Sequence, residues 1–144
     1  MKILICGLPG SGKTTLAKEL AYKFHLPHHN ADTYREMFDD WDFSIVGRLR
    51  QAQRMSKQYG ILDFVCPTEE TRALVEADFV IWMDTIKFSE YDDTNAVFVK
   101  PSYYDIRITS WIDTNQLLKS LDGFNPGTKA ILLFLREVLP RLVK

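Results

Sequence analysis

The stretch Gly7-Leu8-Pro9-Gly10-Ser11-Gly12-Lys13-Thr14 fits the pattern G-x-x-x-x-G-K-S/T without a gap, and it constrains the chain more than any other feature. It follows the apolar run Ile3-Leu4-Ile5-Cys6 and leads into Thr15-Leu16-Ala17-Lys18-Glu19-Leu20-Ala21, which has helical spacing. A strand, a phosphate-binding loop and a helix are therefore expected in succession. Glycines at 7, 10 and 12 let backbone N–H groups turn inward around a polyphosphate, and the new helix points its positive dipole end at the same anion. Gly7, Leu8, Pro9, Gly10, Ser11, Gly12, Lys13, Thr14 and Thr15 are the expected contacts to ATP. Lys13 should reach the β- and γ-phosphates, with the Thr14 hydroxyl on Mg²⁺. The plainer alternative, a glycine-rich turn that binds nothing, is disfavoured by the full motif in this context.

With 144 residues, 46% of them hydrophobic, the chain is expected to form one domain over residues 1–144 with a full core and no room for a second catalytic domain. A formal charge of −1 supplies no global basic field, so nucleic acid would have to be held by a local patch. Cys6 and Cys66 have no metal-ligand spacing and suit a reducing compartment, as small packing residues. The first strand begins at once, without a charged leader, and no apolar run approaches a membrane span; a soluble, cytoplasmic protein without a membrane partner is expected.

Beyond the loop, the first helix should run to about Phe24, stopped by Pro27. His28-His29-Asn30 is expected as the second strand, where alternate residues face opposite ways, so the two histidines suit a structural role better than one metal ion. Asn30-Ala31-Asp32-Thr33-Tyr34-Arg35 then falls where parallel sheets place their ligand crevice. Asp32 is the candidate base for an acceptor that must lose a proton, and Arg35 the candidate anion clamp. Asp32 as the N-cap of the next helix is the bland, compatible alternative. Ser44 should cap a helix over residues 45–59 with Val46, Leu49, Ala52, Gln53 and Met55 on its inner face. Of its cations Arg48, Arg50, Arg54 and Lys57, Arg48 lies where it can turn toward a phosphate.

Gly60 should end that helix and residues 61–65 form the third strand. An acid inside it, Asp63, is costly to bury unless paired or near a metal. It either holds Mg²⁺ through water, or shares proton transfer with Asp32, or caps a neighbouring loop; all three stay open. A short helix at 69–75, a buried fourth strand at 78–83, a polar loop over 84–100, a fifth strand at 103–109 and a short helix at 112–120 follow. The polar loop is a candidate cover for the site, with a plain surface loop as the alternative. Asn125-Pro126-Gly127 reads as a turn, and Thr128 should open the last helix, with Ile131, Leu132, Leu135, Val138 and Leu139 as its packing stripe. Strands alternating with helices through right-handed crossovers give an α/β three-layer sandwich around a five-stranded parallel sheet. Trp111 and the last helix suit a dimer contact or the core equally.

The residues quoted so far resemble the P-loop kinases related to adenylylsulfate kinase, over roughly residues 2–112. The likeness rests on Gly7 to Thr15, the Asp32-x-x-Arg35 pair, the polar helix through Arg50, Phe64-Val65-Cys66-Pro67 with Arg72, and Asp84-Thr85. It implies the strand order 2-3-1-4-5, ATP·Mg²⁺ as donor, an alcohol as acceptor, Asp32 as the proton acceptor, and Arg35 and Arg72 on the acceptor side. The chain departs from the family in three places. Asn30 stands where the family has the first acid of a D-x-D pair, and Glu69 where it has an arginine. Acidic residues 89–95 replace a long cationic lid. Arg48 is the candidate substitute for an arginine missing from the head of the third helix. Charge-assisted contacts are worth about 1.5–3 kcal/mol each, so their loss weakens recognition of a phosphosulfate.

The shortened form, with D-F-V-C-P-T at 63–68 and D-T-N-x-x-F-V at 93–99, looks like the small kinases encoded by bacteriophages. One class of these phosphorylates the hydroxymethyl group of 5-hydroxymethyluracil in DNA. An open cleft suits such a polymer; the basic track it needs would come from Arg48, Arg50, Arg54, Lys57 and Lys100. The expected reaction is in-line phosphoryl transfer to a nucleotide-type alcohol, best matched by modified phage DNA, with the 3'-hydroxyl of adenylylsulfate, or another small molecule or nucleotide, as alternative. A regulatory nucleotide-binding module and a slow NTPase are the rivals from other classes.

Overall fold

In the computed structural model, which describes residues 1–110 and 126–142, the apolar run after Met1 forms β1 (Lys2–Gly7), the middle strand of the sheet. It is followed by α1 (Lys13–Phe24), β2 (His28–Asn30), α2 (Ala31–Phe38), α3 (Ile45–Ser56), β3 (Gly60–Asp63), α4 (Glu69–Val75), β4 (Phe79–Met83), α5 (Asp92–Val97), β5 (Ile106–Ile108) and α6 (Pro126–Leu142). The strands lie in the order β2-β3-β1-β4-β5, and every pairing is parallel, with Ile5 opposite Asp63 on one side and Ile81 on the other.

Side chains alternate across the sheet, so each strand feeds two apolar layers. On one face Ile3, Ile5, Ile61, Phe79, Ile81 and Met83 pack with Leu16, Ala17 and Leu20 of α1 and with Ile131, Leu132, Leu135 and Val138 of α6. On the other, Leu4, Cys6, Leu62, Val80 and Trp82 pack with Ala52 and Met55 of α3 and Val75 of α4. Each such Leu, Ile or Phe contributes roughly 1.5–3 kcal/mol by leaving water. Both cysteines are buried, and desolvation pushes the Cys6 thiol up to about 11 and that of Cys66 higher still, so they act as packing groups. No helix among the described residues is long and apolar enough to cross a membrane.

Several sequence expectations are corrected. The first helix does end at Phe24, but His25, in the left-handed conformation (φ 53°), turns the chain out before Pro27 is reached. Ser44 caps α3 as expected, its side chain accepting from the Gly47 N–H at 3.2 Å, yet the helix closes at Ser56. Its inner face is Gly47, Arg48, Gln51, Ala52 and Met55, whereas Val46 and Gln53 are exposed and Leu49 is half-buried. The face is fixed by close approach: a Cβ on Gly47 would lie 2.1 Å from the Asp42 carbonyl oxygen. Gln51 in turn donates to the Ala31 carbonyl at 2.9 Å. The 84–100 segment is no plain loop, since it contains α5, and the fifth strand is shorter than residues 103–109. Pro126 and Gly127 already lie in α6, so Thr128 is not the start. The helix expected at 112–120, and Trp111, lie outside the described residues.

The corner between α2 and α3 is held by charge. Asp40 accepts from Arg50 at 2.6 and 3.0 Å and from Arg54 at 2.7 Å, and Asp42 pairs with Arg50 at 3.2 Å. The Arg50 hydrogen bonds, followed by that from Arg54, hold the Asp40 carboxyl well below the usual carboxylate range. A carboxyl depressed by folding stabilises the protein fully above its unfolded value of about 4 and loses that contribution as pH falls below it. Asp40→Asn should therefore melt below wild type at neutral pH, and the gap should close as the pH is lowered through the acid range. A gap that stays constant in acid would contradict this role.

Candidate active site

The site begins where β1 passes the end of β4. A Cβ on Gly7 (φ +149°) would sit 2.5 Å from the Met83 carbonyl oxygen, so only glycine lets the two strand ends lie this close. Gly10 and Gly12 also take positive φ, which folds residues 7–12 into an arch ahead of α1. Gly12 offers the helix no side-chain cap, leaving the N–H groups of the first turn for an anion. Thr85 Oγ1 donates to the Ser11 carbonyl at 2.7 Å and braces the arch, while the Ser11 hydroxyl is buried with no hydrogen-bond partner. Lys13 is buried, and its ammonium donates to the Leu8 carbonyl at 2.9 Å. Burial lowers its pKa, opposed by the charges of Asp63 and, further down, Asp32.

Asp63, the last residue of β3, is 1% exposed. Its Oδ2 accepts from the Thr14 hydroxyl at 2.8 Å, from Asn30 Nδ2 at 3.0 Å and pairs with His28 Nε2 at 3.1 Å. Burial alone would raise its pKa, but those hydrogen bonds and the Lys13 charge outweigh burial and hold it low, so the group is a carboxylate. Its Oδ1 is buried without a partner. A hydroxyl and a carboxylate, both hard oxygen donors, with one oxygen unspent, fit Mg²⁺, which takes one or two protein ligands and completes its shell with phosphate oxygens and water. Among the described residues no group of three or more His, Cys, Asp or Glu is placed to hold a metal ion by itself.

Asp32 is the second residue of α2 and is exposed. The cap of that helix is Asn30, whose side chain accepts from the N–H groups of Asp32 at 2.9 Å and Thr33 at 3.4 Å. Asp32 is therefore not the N-cap, and it lines a cleft of about 660 Å³ with Thr14, Lys18, His28 and Asn30. The adjacent histidines do part ways across the strand, His28 to Asp63 and His29 Nδ1 to the Tyr34 hydroxyl at 2.8 Å.

The three arginines assigned to the acceptor side all carry structural bonds. Arg35 is buried and donates to the Asp40 and Asp42 carbonyls at 3.0 and 3.1 Å. Arg48, also buried, donates to the Phe43 carbonyl at 2.9 Å and to Thr94 of α5 at 3.0 Å, with Asp93 3.8 Å away. Both guanidinium groups stack on the Phe43 ring, at 4.2 and 5.3 Å from its centroid. Burial first, and then the charge of Arg48, pulls the pKa of Arg35 down, the signature of two cations close together in a partly dry place. Arg72 pairs with Glu69 at 3.3 Å, donates to the Val99 carbonyl and stacks on Phe98, which ties α4 to the 84–100 segment. Of the basic track expected for DNA, Arg48, Arg50 and Arg54 are engaged by Asp93, Asp40 and Asp42, while Lys57 and Lys100 are exposed.

Sequence reasoning missed Asn30 and His28 as partners of Asp63. One signal was present: residues 28 and 30 share a strand face, since side chains repeat every second position.

The fold matches that of the P-loop kinases, a parallel sheet of order 2-3-1-4-5 with the glycine-rich loop of residues 7–12 at the end of its middle strand. APS kinase from Mycobacterium tuberculosis in complex with AMPPNP and APS is 18% identical, with a TM-score of 0.66 over 94% of this chain and 97% of that one. A mutant of that enzyme is 22% identical, with a TM-score of 0.58 over 74% of this chain and 84% of its own. Shikimate kinase from Acinetobacter baumannii in complex with shikimate is 14% identical, with a TM-score of 0.55 over 99% and 95%. No protein-family model matches the chain, and no curated protein matches it by sequence.

Proposed function

We propose that this protein is a P-loop phosphotransferase that moves the γ-phosphoryl group of ATP to the hydroxyl of a small, nucleotide-type alcohol. The observation that carries the proposal is the placement of Asp32, exposed and not spent as a helix cap, within electrostatic reach of Lys13 and lining one cleft with Thr14. Residues 7–15 hold the triphosphate through backbone N–H groups, and Lys13 neutralises charge on the group in flight. Asp32 orients the acceptor hydroxyl and takes its proton. Thr14 and Asp63 would hold Mg²⁺, which when bound offsets charge on the β- and γ-phosphates. Arg35 and Arg48 lend positive charge to the acceptor side, which suits an anionic acceptor, and Arg72 steadies the segment over residues 84–100.

The acceptor's size follows from charge. A duplex needs several free cations along a path, because its affinity rests on phosphate neutralisation. Arg50 and Arg54 are already neutralised within the fold, which favours a small molecule over DNA. The test is to incubate the protein with γ-labelled ATP and, separately, adenylylsulfate, free nucleosides and hydroxymethyluracil-containing DNA. Label on one of the small acceptors is expected. Label on the DNA would assign a polymer acceptor instead, and nucleotide binding with no labelled acceptor or released phosphate would leave a regulatory module.

A further inference from the structure

Asn30 uses both ends of its amide. Oδ1 accepts from the backbone N–H groups of Asp32 and Thr33, at 2.9 and 3.4 Å, and so fixes the first turn of α2. Nδ2 donates to Asp63 Oδ2 at 3.0 Å. One side chain thus joins the helix that carries the proposed proton acceptor to the carboxylate bonded to Thr14. The chemistry dictates the residue type. An aspartate at 30 would cap the helix equally well but has no proton to donate, and it would set a second negative charge against Asp63 at that distance. Alanine would neither cap nor donate. The acid stands on β3 and the amide on β2. The two positions are register partners in neighbouring parallel strands, so exchanging their side chains preserves both the hydrogen bond and the net charge.

From this we infer that Asn30 is a positioning residue that couples Asp32 to Asp63, and that positions 30 and 63 work as one carboxylate plus one amide, in either order. The catalytic arm of the test rests on the phosphotransferase reading; the other arms do not.

The test compares the full chain with Asn30→Asp, Asp63→Asn and the exchange variant N30D/D63N. Asn30→Asp should lower kcat by about 10–100-fold, the usual cost of losing a group that orients a metal-side ligand, with little change in KM for ATP. It should also lower the melting temperature, through repulsion between adjacent carboxylates. Asp63→Asn should abolish the gain in nucleotide affinity that Mg²⁺ gives over EDTA. The exchange variant should recover most of the kcat, melting temperature and Mg²⁺-dependent affinity that the single changes lose. An Asn30→Asp protein with wild-type kcat and melting, or an exchange variant no better than the single variants in any arm, would overturn the inference. If the wild-type protein transfers phosphoryl groups to no acceptor, the phosphotransferase reading fails, while melting and nucleotide binding still decide the fate of the pair.

Discussion

Replacing Lys13 with methionine is expected to cut phosphoryl transfer by at least a hundred- to a thousandfold, about the loss that follows removal of one preorganised charge-stabilising donor. The side chain lies buried along the loop, and methionine fills nearly the same volume without the charge. The substitution leaves the Leu8 carbonyl without its 2.9 Å partner, at a cost of about 1 kcal/mol or less to folding, because burying a cation is itself unfavourable. A melting curve close to wild type beside a collapsed kcat would separate loss of chemistry from loss of fold. Wild-type turnover in Lys13→Met would remove the loop from the reaction.

Asp32→Asn should be nearly as severe and differently distributed. General bases supply about 10²–10⁴-fold, so kcat should fall by that factor. ATP affinity, measured by calorimetry, should change little if residues 7–15 hold the phosphates as proposed, because no hydrogen bond from that loop to the Asp32 carboxylate shapes it. Folding should lose only a few tenths of a kcal/mol, from one exposed carboxylate leaving the positive end of α2. Retention of full activity would move the proton acceptor elsewhere, and Asp63 is poorly placed to serve, with three donors already on one of its oxygens.

Local chemistry made part of this legible in the sequence. The strand, glycine-rich turn and helix over residues 2–24, the three-residue strand at His28, the helix that follows it and the Ser44 cap all depend on residues within a few positions of one another. What was hidden depends on partners far along the chain. Asp63 left three readings open because its donors come from Thr14, His28 and Asn30, on elements that only the parallel register brings together. Arg48 lies near a helix start, and its bond to Thr94 could not be foreseen because Thr94 belongs to a helix that no apolar periodicity announced. The inner face of α3 misled for a similar reason. It packs through a glycine against backbone and through Gln51 onto the Ala31 carbonyl, so polar residues lie inside and Val46 outside. Sequence spacing shows where Arg50 and Arg54 stand but not that Asp40 and Asp42 fold back onto them.

The most direct measurement is a single turnover of γ-labelled ATP with saturating acceptor, wild type beside Asp32→Asn, following label in the acceptor and in inorganic phosphate. Label in the acceptor for wild type, with bound but unreacted ATP in the variant, is the result expected if one carboxylate at residue 32 serves a nucleotide held on residues 7–15. Equal labelling by both proteins, or label in inorganic phosphate alone, would contradict it.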